Sequence, residues 1–212
     1  MGVNLAESAV RRGAFQKADE LAPLVSLLQA ARPHTVVEIG TLGGGTLWLW
    51  CRLATADALV VGIDLRQAAD GVAAAVDPGA QQSVRFLQGD SHLESTKMAL
   101  QSALGDRPVD LLFIDGDHRY GGVSQDFHWY APLVREGGLV VCHDIIRHTQ
   151  MPEVGVHRLW KELAPHFATL DFVSDGGDRG WGPWGGIGVL TYTRQGHARW
   201  LRRRRLRAAG IR

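Results

Sequence analysis

The 212 residues are 45% hydrophobic and 21% charged, the makeup of one globular domain with chain enough for a single core. No apolar run nears the roughly 20 residues that span a bilayer, no signal-peptide core opens the chain, and Cys51 and Cys142 show no pairing pattern. Membrane-spanning and disulfide-framed classes are therefore excluded, and a reducing, cytoplasmic setting is expected. The net charge of +1 hides an asymmetry: nine arginines and no acid lie from Arg179 onward, leaving 14 of the 23 basic residues against all 22 acids before it.

Residues 1–14 have no period and are expected to form a loose or partly helical arm. Leu21, Leu24, Val25, Leu27 and Leu28 recur at helical spacing and predict a helix over 16–31, stopped at Arg32-Pro33. Val36-Val37-Glu38-Ile39 reads as a strand. It enters a glycine-dense turn, Gly40 to Thr46, and then a helix from Leu47 to about Ala56. A strand over 58–64 follows, then a short helix over 68–76 closed by Asp77-Pro78-Gly79, a strand over 84–91 and a helix over 93–104. The fourth strand spans 109–115. Val123, Phe127, Trp129, Tyr130, Leu133 and Val134 predict a helix leading to a glycine stop at Glu136-Gly137-Gly138. A fifth strand, 139–142, ends in His143-Asp144; a helix over 154–167, interrupted near Pro165, and strands at 170–173 and 187–192 complete the reading. Strict alternation argues a three-layer α/β sandwich with right-handed crossovers. The last two strands share a glycine loop without a crossover helix, which suits an antiparallel edge pair.

A strand, a glycine turn and a helix place a ligand at the carboxyl end of the first strand. The glycines allow close approach, and the helix start offers free N–H groups. Glu38 would repel a pyrophosphate but suits a cation or hydroxyls, and the Glu-x-Gly-x-x-x-Gly-x-Thr spacing is not the G-x-G-x-x-G of dinucleotide folds. Asp64 lies 24 positions after Gly40, near the ~20 expected of an acid on ribose hydroxyls. Asp115 and Asp144 end consecutive parallel strands and, with His143, form a candidate Mg²⁺ or Mn²⁺ set. Such a cation could lower the pKa of an acceptor hydroxyl. His118, three residues past Asp115, is the candidate general base, with an ordinary pKa near roughly 6.5. Each has a plainer alternative: Asp115 as a strand-end cap, His118 as a loop-packing residue, His143 as a support for a ligand, Asp90-Ser91 as a helix N-cap. His128, His148, His157 and His166 are expected to be ordinary surface or core histidines. Asp175 and Asp178 favour a hairpin turn over a calcium loop. Trp181 and Trp184 could stack on a substrate or cover the sheet edge.

The Glu38–Thr46 motif resembles the first motif of class I S-adenosylmethionine (SAM) methyltransferases, whose acid lies near the methionine amino group. Ile114-Asp115-Gly116-Asp117-His118-Arg119-Tyr120, with Glu136-Gly137-Gly138 through His143-Asp144, resembles a narrower bacterial subgroup. That subgroup is similar to macrolide-sugar O-methyltransferases and cephalosporin hydroxylase-like methyltransferases, and the resemblance runs from about Gln16 to Tyr192. It implies a Rossmann-like fold with a seven-stranded, mostly parallel sheet and an antiparallel last strand. It also implies SAM at Glu38, Gly40, Thr41, Gly44, Thr46, Asp64, Asp90, Ser91 and Asp115. The matching histidine of the macrolide-sugar enzymes is their proposed base and the matching aspartate binds metal; those relatives carry Glu-Asp where this chain has His143-Asp144, and catechol-type relatives carry Asp-Asn.

Residues 1–193 are thus expected to form one methyltransferase domain, with 1–31 as arm and first helix, and 194–212 as a basic tail. The implied activity is O-methylation of a small hydroxylated molecule, a sugar or natural-product intermediate, assisted by Mg²⁺ or Mn²⁺. An NAD(P)-dependent oxidoreductase is the first rival, disfavoured by the glycine spacing and the lack of a Tyr-x-x-x-Lys pair. An RNA-binding module acting through the tail is the second; nucleic acid is disfavoured because no stacking aromatics accompany a basic face elsewhere. A homo-oligomer, with the tail on an acidic neighbouring subunit, is the remaining partner expectation.

Overall fold

The computed structural model describes residues 4–66, 81–175 and 182–209. The expected helix over 68–76, Asp178 and Trp181 lie outside the described residues. Seven strands form one sheet: β1 (Thr35–Ile39), β2 (Leu59–Asp64), β3 (Ser83–Gln88), β4 (Val109–Ile114), β5 (Val134–His143), β6 (Ala168–Phe172) and β7 (Ile187–Thr191). Their order is β3-β2-β1-β4-β5-β7-β6. The first five are parallel neighbours, and β7 lies antiparallel to both β5 and β6. The three-layer, mostly parallel sheet expected from the alternation is present, with β7 inserted between β5 and β6.

Strand alternation divides the core. Val37 and Ile39 face one layer, with α4 (Glu94–Leu104), α5 (Tyr120–Tyr130) and α6 (Val156–Leu163); Val36 faces the other, with α1 (Leu5–Arg11), α2 (Ala18–Ala31) and α3 (Gly45–Leu53). Every residue of β1 is buried, as the central strand of a parallel sheet requires.

Several elements differ from the sequence reading. The arm contains α1, capped where Asn4 Oδ1 accepts the Glu7 N–H at 3.3 Å, with Ala6 and Ala9 buried. Helix α5 stops at Tyr130, four residues early, because Pro132 cannot donate a helical hydrogen bond; a tight 3₁₀ turn at Ala131–Leu133 feeds Val134 directly into β5. Glu136-Gly137-Gly138 consequently lies inside the β5 span, where the register with β4 shifts. The arginine segment expected as a tail is a helix, α7 (Arg194–Ala208), capped by Thr193 Oγ1, which accepts the Gly196 N–H at 3.0 Å. Its Trp200 is 1% exposed and meets Phe127 of α5 edge-on at 4.9 Å.

Candidate active site

The site forms where β1, β2, β4 and β5 end. At Gly40, φ is +85°, and a Cβ would collide with the Asp115 carbonyl, so only glycine lets the turn cross the end of β4. Gly44, at φ +78°, begins α3. Asp64 at the end of β2 braces this turn. Its Oδ2 accepts the Thr41 and Leu42 N–H groups at 2.9 and 3.0 Å, and its Oδ1 accepts the Arg66 N–H at 3.1 Å. After β3, Asp90 Oδ1 accepts the His92 N–H at 2.9 Å; α4 is capped at Leu93, so Asp90 closes a turn and caps no helix.

These turns enclose a cavity of about 480 Å³, within the ~300–1,000 Å³ range of small-ligand clefts. Gly40, Thr41, Thr46, Asp64, Asp90 and Ser91 line one end, and Asp115, His118, Arg119 and His143 the other. Gly13 to Gln16 of the arm form a further wall. Glu38, expected at the cofactor, is not in this lining. Because Val37 and Ile39 face the α4–α6 layer, Glu38 turns toward α3, where it is wholly buried and accepts a hydrogen bond from the Thr46 hydroxyl. Burial, only partly offset by Thr46 and reinforced by the charge of Asp115, pushes its carboxyl up to about 8. Its route to the cavity runs through Thr46, which does line it. Gly44 likewise shapes the turn from outside the lining.

At the other end, two acids and two histidines interlock. His118 Nδ1 lies 2.6 Å from Asp144 Oδ2, and its Nε2 lies 3.4 Å from Asp115 Oδ1. His143 Nδ1 reaches Asp115 Oδ1 at 3.1 Å, and His148 Nε2 reaches Asp144 Oδ1 at 3.0 Å. Asp144 sits at φ +63°, a left-handed conformation that aspartate tolerates better than most residues. Among the described residues, donor atoms of Asp115, His118 and Asp144 lie within 4.8 Å of one another, a set that fits Mg²⁺ or Mn²⁺. His143 was expected in that set. It lines the cavity as His118 does, but its side chain is only 2% exposed and its Nδ1 is engaged on Asp115, and the set forms around His118 instead.

Burial opposes charge on His118, but the hydrogen bond to Asp144 and the charge of Asp115 outweigh it and raise its pKa to about 9. His143 is raised to about 9 against the same burial by Asp115 and Asp144. The histidines in turn hold Asp144 well below the usual carboxylate range despite its burial. The imidazole expected near 6.5 at 118 is thus shifted upward by the two acids beside it.

The sequence reading passed over three groups. Gln16 Nε2 donates to Asp115 Oδ2 at 2.6 Å. His148, expected to be ordinary, holds Asp144. His92 lines the cavity and lies 3.3 Å from Asp126, a contact that outweighs burial and raises the imidazole to about 9. A signal for His92 was present: Asp126 interrupts the apolar face formed by Val123, Phe127 and Tyr130, and a fully buried acid requires a partner. Trp184 is 3% exposed and meets His143 edge-on at 6.5 Å behind the cavity, a covering position. Asp175 is an exposed bend, and His128 is exposed on α5.

Solved structures share this fold. An O-methyltransferase from Bacillus cereus in complex with SAH superposes with a TM-score of 0.66 at 19% identity, over 91% of this chain and 92% of that one. MycE from the mycinamycin biosynthetic pathway, in complex with Mg, SAH and mycinamycin VI, superposes with a TM-score of 0.64 at 20% identity, over 91% of this chain and 55% of that one. Among curated proteins, the uncharacterized protein y4gI of Sinorhizobium fredii is 30% identical over 158 residues, 69% of this chain. The chain spans only 17% of that relative's length and 55% of a second one's. The family model described as a methyltransferase domain matches residues 37–145. That match runs from β1 through the Gly40 turn and Asp64 to the strand-end acids Asp115 and Asp144, half of the chain and all of the cavity's lining except the arm, and by it the chain belongs to the class I SAM-dependent methyltransferase family.

Proposed function

We propose that the chain is a SAM-dependent O-methyltransferase of a small hydroxylated molecule, assisted by a divalent cation. The observation that carries this reading is one cavity running from Gly40, Asp64 and Asp90 to Asp115 and His118, which form a cluster with Asp144. A cofactor pocket and a hydroxyl-activating group then share one space, as in-line transfer needs. The likeness in fold to O-methyltransferases holding SAH, one of them with Mg, supports the same reading.

Gly40, Thr41 and Thr46 would admit the cofactor against the backbone, and the carboxylate of Asp64 keeps lone pairs for ribose hydroxyls beyond its bonds to the turn. Asp90 and Ser91 would face the base. Bound SAM supplies an activated methyl group. Asp115 and Asp144 would hold Mg²⁺ or Mn²⁺, whose charge lowers the pKa of a hydroxyl beside it. His118 is 37% exposed and lines the cavity, which suits a base rather than a closed ligand. Its Nδ1 is oriented by Asp144, and Nε2, 3.4 Å from Asp115 Oδ1, is the nitrogen that would accept the acceptor's proton. Asp144 and Asp115 raise the imidazole to about 9 without the cation; a cation on those acids lowers it again, so the rate should rise with pH along a limb that lies below 9.

Methyl transfer from SAM to a panel of sugars and phenols, read by mass spectrometry, tests the proposal. Excess chelator should abolish transfer, and Mg²⁺ or Mn²⁺ should restore it. Undiminished transfer in chelator would remove the cation, and methylation confined to nitrogen or carbon acceptors would remove the O-methyl assignment.

A further inference from the structure

Gln16 lies in the segment between α1 and α2, ninety-nine residues before Asp115, yet its side chain is 3% exposed and its Nε2 is 2.6 Å from Asp115 Oδ2. A carboxylate oxygen can only accept, so Asp115 itself identifies that end of the amide as the donor. The other end, Oε1, is buried without a hydrogen-bond partner. Leaving a buried acceptor unpaired is unfavourable; the amide is therefore held for its bond to Asp115 and not for its own satisfaction. The two oxygens of Asp115 are thereby divided. Oδ2 belongs to Gln16, while Oδ1 faces His143 at 3.1 Å and His118 at 3.4 Å.

The segment carrying Gln16 is fixed on both sides. Gly45 at the start of α3 lies so close to Ala14 that a Cβ there would strike the Ala14 backbone. On the far side, Lys17 Nζ donates to the Ser174 carbonyl at 2.9 Å and pairs with buried Glu20 at 3.3 Å. Glu20 in turn accepts the Gly186 N–H at 2.9 Å. The amide is thus presented to Asp115 from a clamped backbone.

We propose that Gln16 is a positioning residue for the cation cluster: it pins Oδ2 of Asp115 so that Oδ1 stays turned toward His118 and Asp144. This inference rests on the cation reading of that cluster. Partners that orient a ligating carboxylate typically contribute 10–100-fold to metal affinity. Gln16→Met keeps the length and removes the donor, and Gln16→Asn withdraws it by one methylene.

The test measures Mn²⁺ affinity by electron paramagnetic resonance, SAH affinity by calorimetry, and the thermal midpoint of the full chain. Gln16→Met should weaken Mn²⁺ binding about 10–100-fold and Gln16→Asn by less, each losing more Mn²⁺ than SAH affinity and keeping a midpoint near wild type. Mn²⁺ affinity unchanged in both folded variants would overturn the positioning role alone. If Gln16→Met loses its fold, Gln16→Asn decides by the same criterion. Wild-type protein that takes up no Mn²⁺ would overturn the cation reading, and this inference with it.

Discussion

Glu38 and His118 show how far a residue's neighbours move its chemistry. The carboxyl of Glu38 keeps its proton to about pH 8 in the fold, against an ordinary 4.5. Between those values the native state binds more protons than the unfolded chain, so stability falls as pH rises, at up to about 1.4 kcal/mol per unit. Glu38→Gln, which keeps an oxygen for the Thr46 hydroxyl, should flatten that slope. Thermal midpoints of both proteins from pH 5 to 8 would show it, and parallel curves would mean Glu38 does not hold its proton. His118→Ala should lower kcat about 10²–10⁴-fold even at saturating cation and remove the acidic fall of the pH profile. Near wild-type kcat with the acidic limb intact would remove the imidazole as the base.

At the scale of elements, what was legible in the sequence followed from period and punctuation. The β-branched runs of β1, β2 and β4 and the alternation of strand and helix carry the fold, and Asp64, Asp115 and Asp144 stand at strand ends because a parallel sheet gathers its ligands there. Contacts across long sequence separations were not legible. Nothing local marks Gln16, since its partner is supplied by β4, and the same holds for His148 on Asp144. Helix α7 was hidden by its arginines: a segment that exposes most of its residues has almost no amphipathic period, and Trp200 alone carries much of its docking. Treating 194–208 as part of the domain makes a clear prediction. Trp200→Ala should cost about 3–5 kcal/mol, the range for truncating a buried aromatic, whereas Arg202→Ala should stay within about 0.5 kcal/mol. Denaturant titration reads both, and a near-neutral Trp200→Ala would return the segment to a loosely attached tail. The Gly40 turn allows a similar test. Gly40→Ala forces a Cβ into the Asp115 backbone at a positive φ, so it should destabilise the chain by about 1–3 kcal/mol or more. Equal midpoints would show that the turn can give way.

Across the whole molecule, the sheet sets the division of labour. One end of the cavity is built by turns from β1, β2 and β3, the other by β4 and β5, and the arm closes it from the α1–α3 side. Among the described residues no helix is long and apolar enough to cross a membrane, and Cys51 and Cys142 are buried free thiols. We propose that this cavity takes SAM by way of Asp64 and leaves its far end to an acceptor. Calorimetric titration with SAH, beside NADH as the competing ligand, tests that most directly. Wild-type protein should bind SAH and not NADH, and Asp64→Ala should weaken SAH by about 1–3 kcal/mol, the cost of leaving buried polar partners unpaired. Absent SAH binding would remove the cofactor from this cavity, and equal binding by wild type and Asp64→Ala would remove Asp64 from its site.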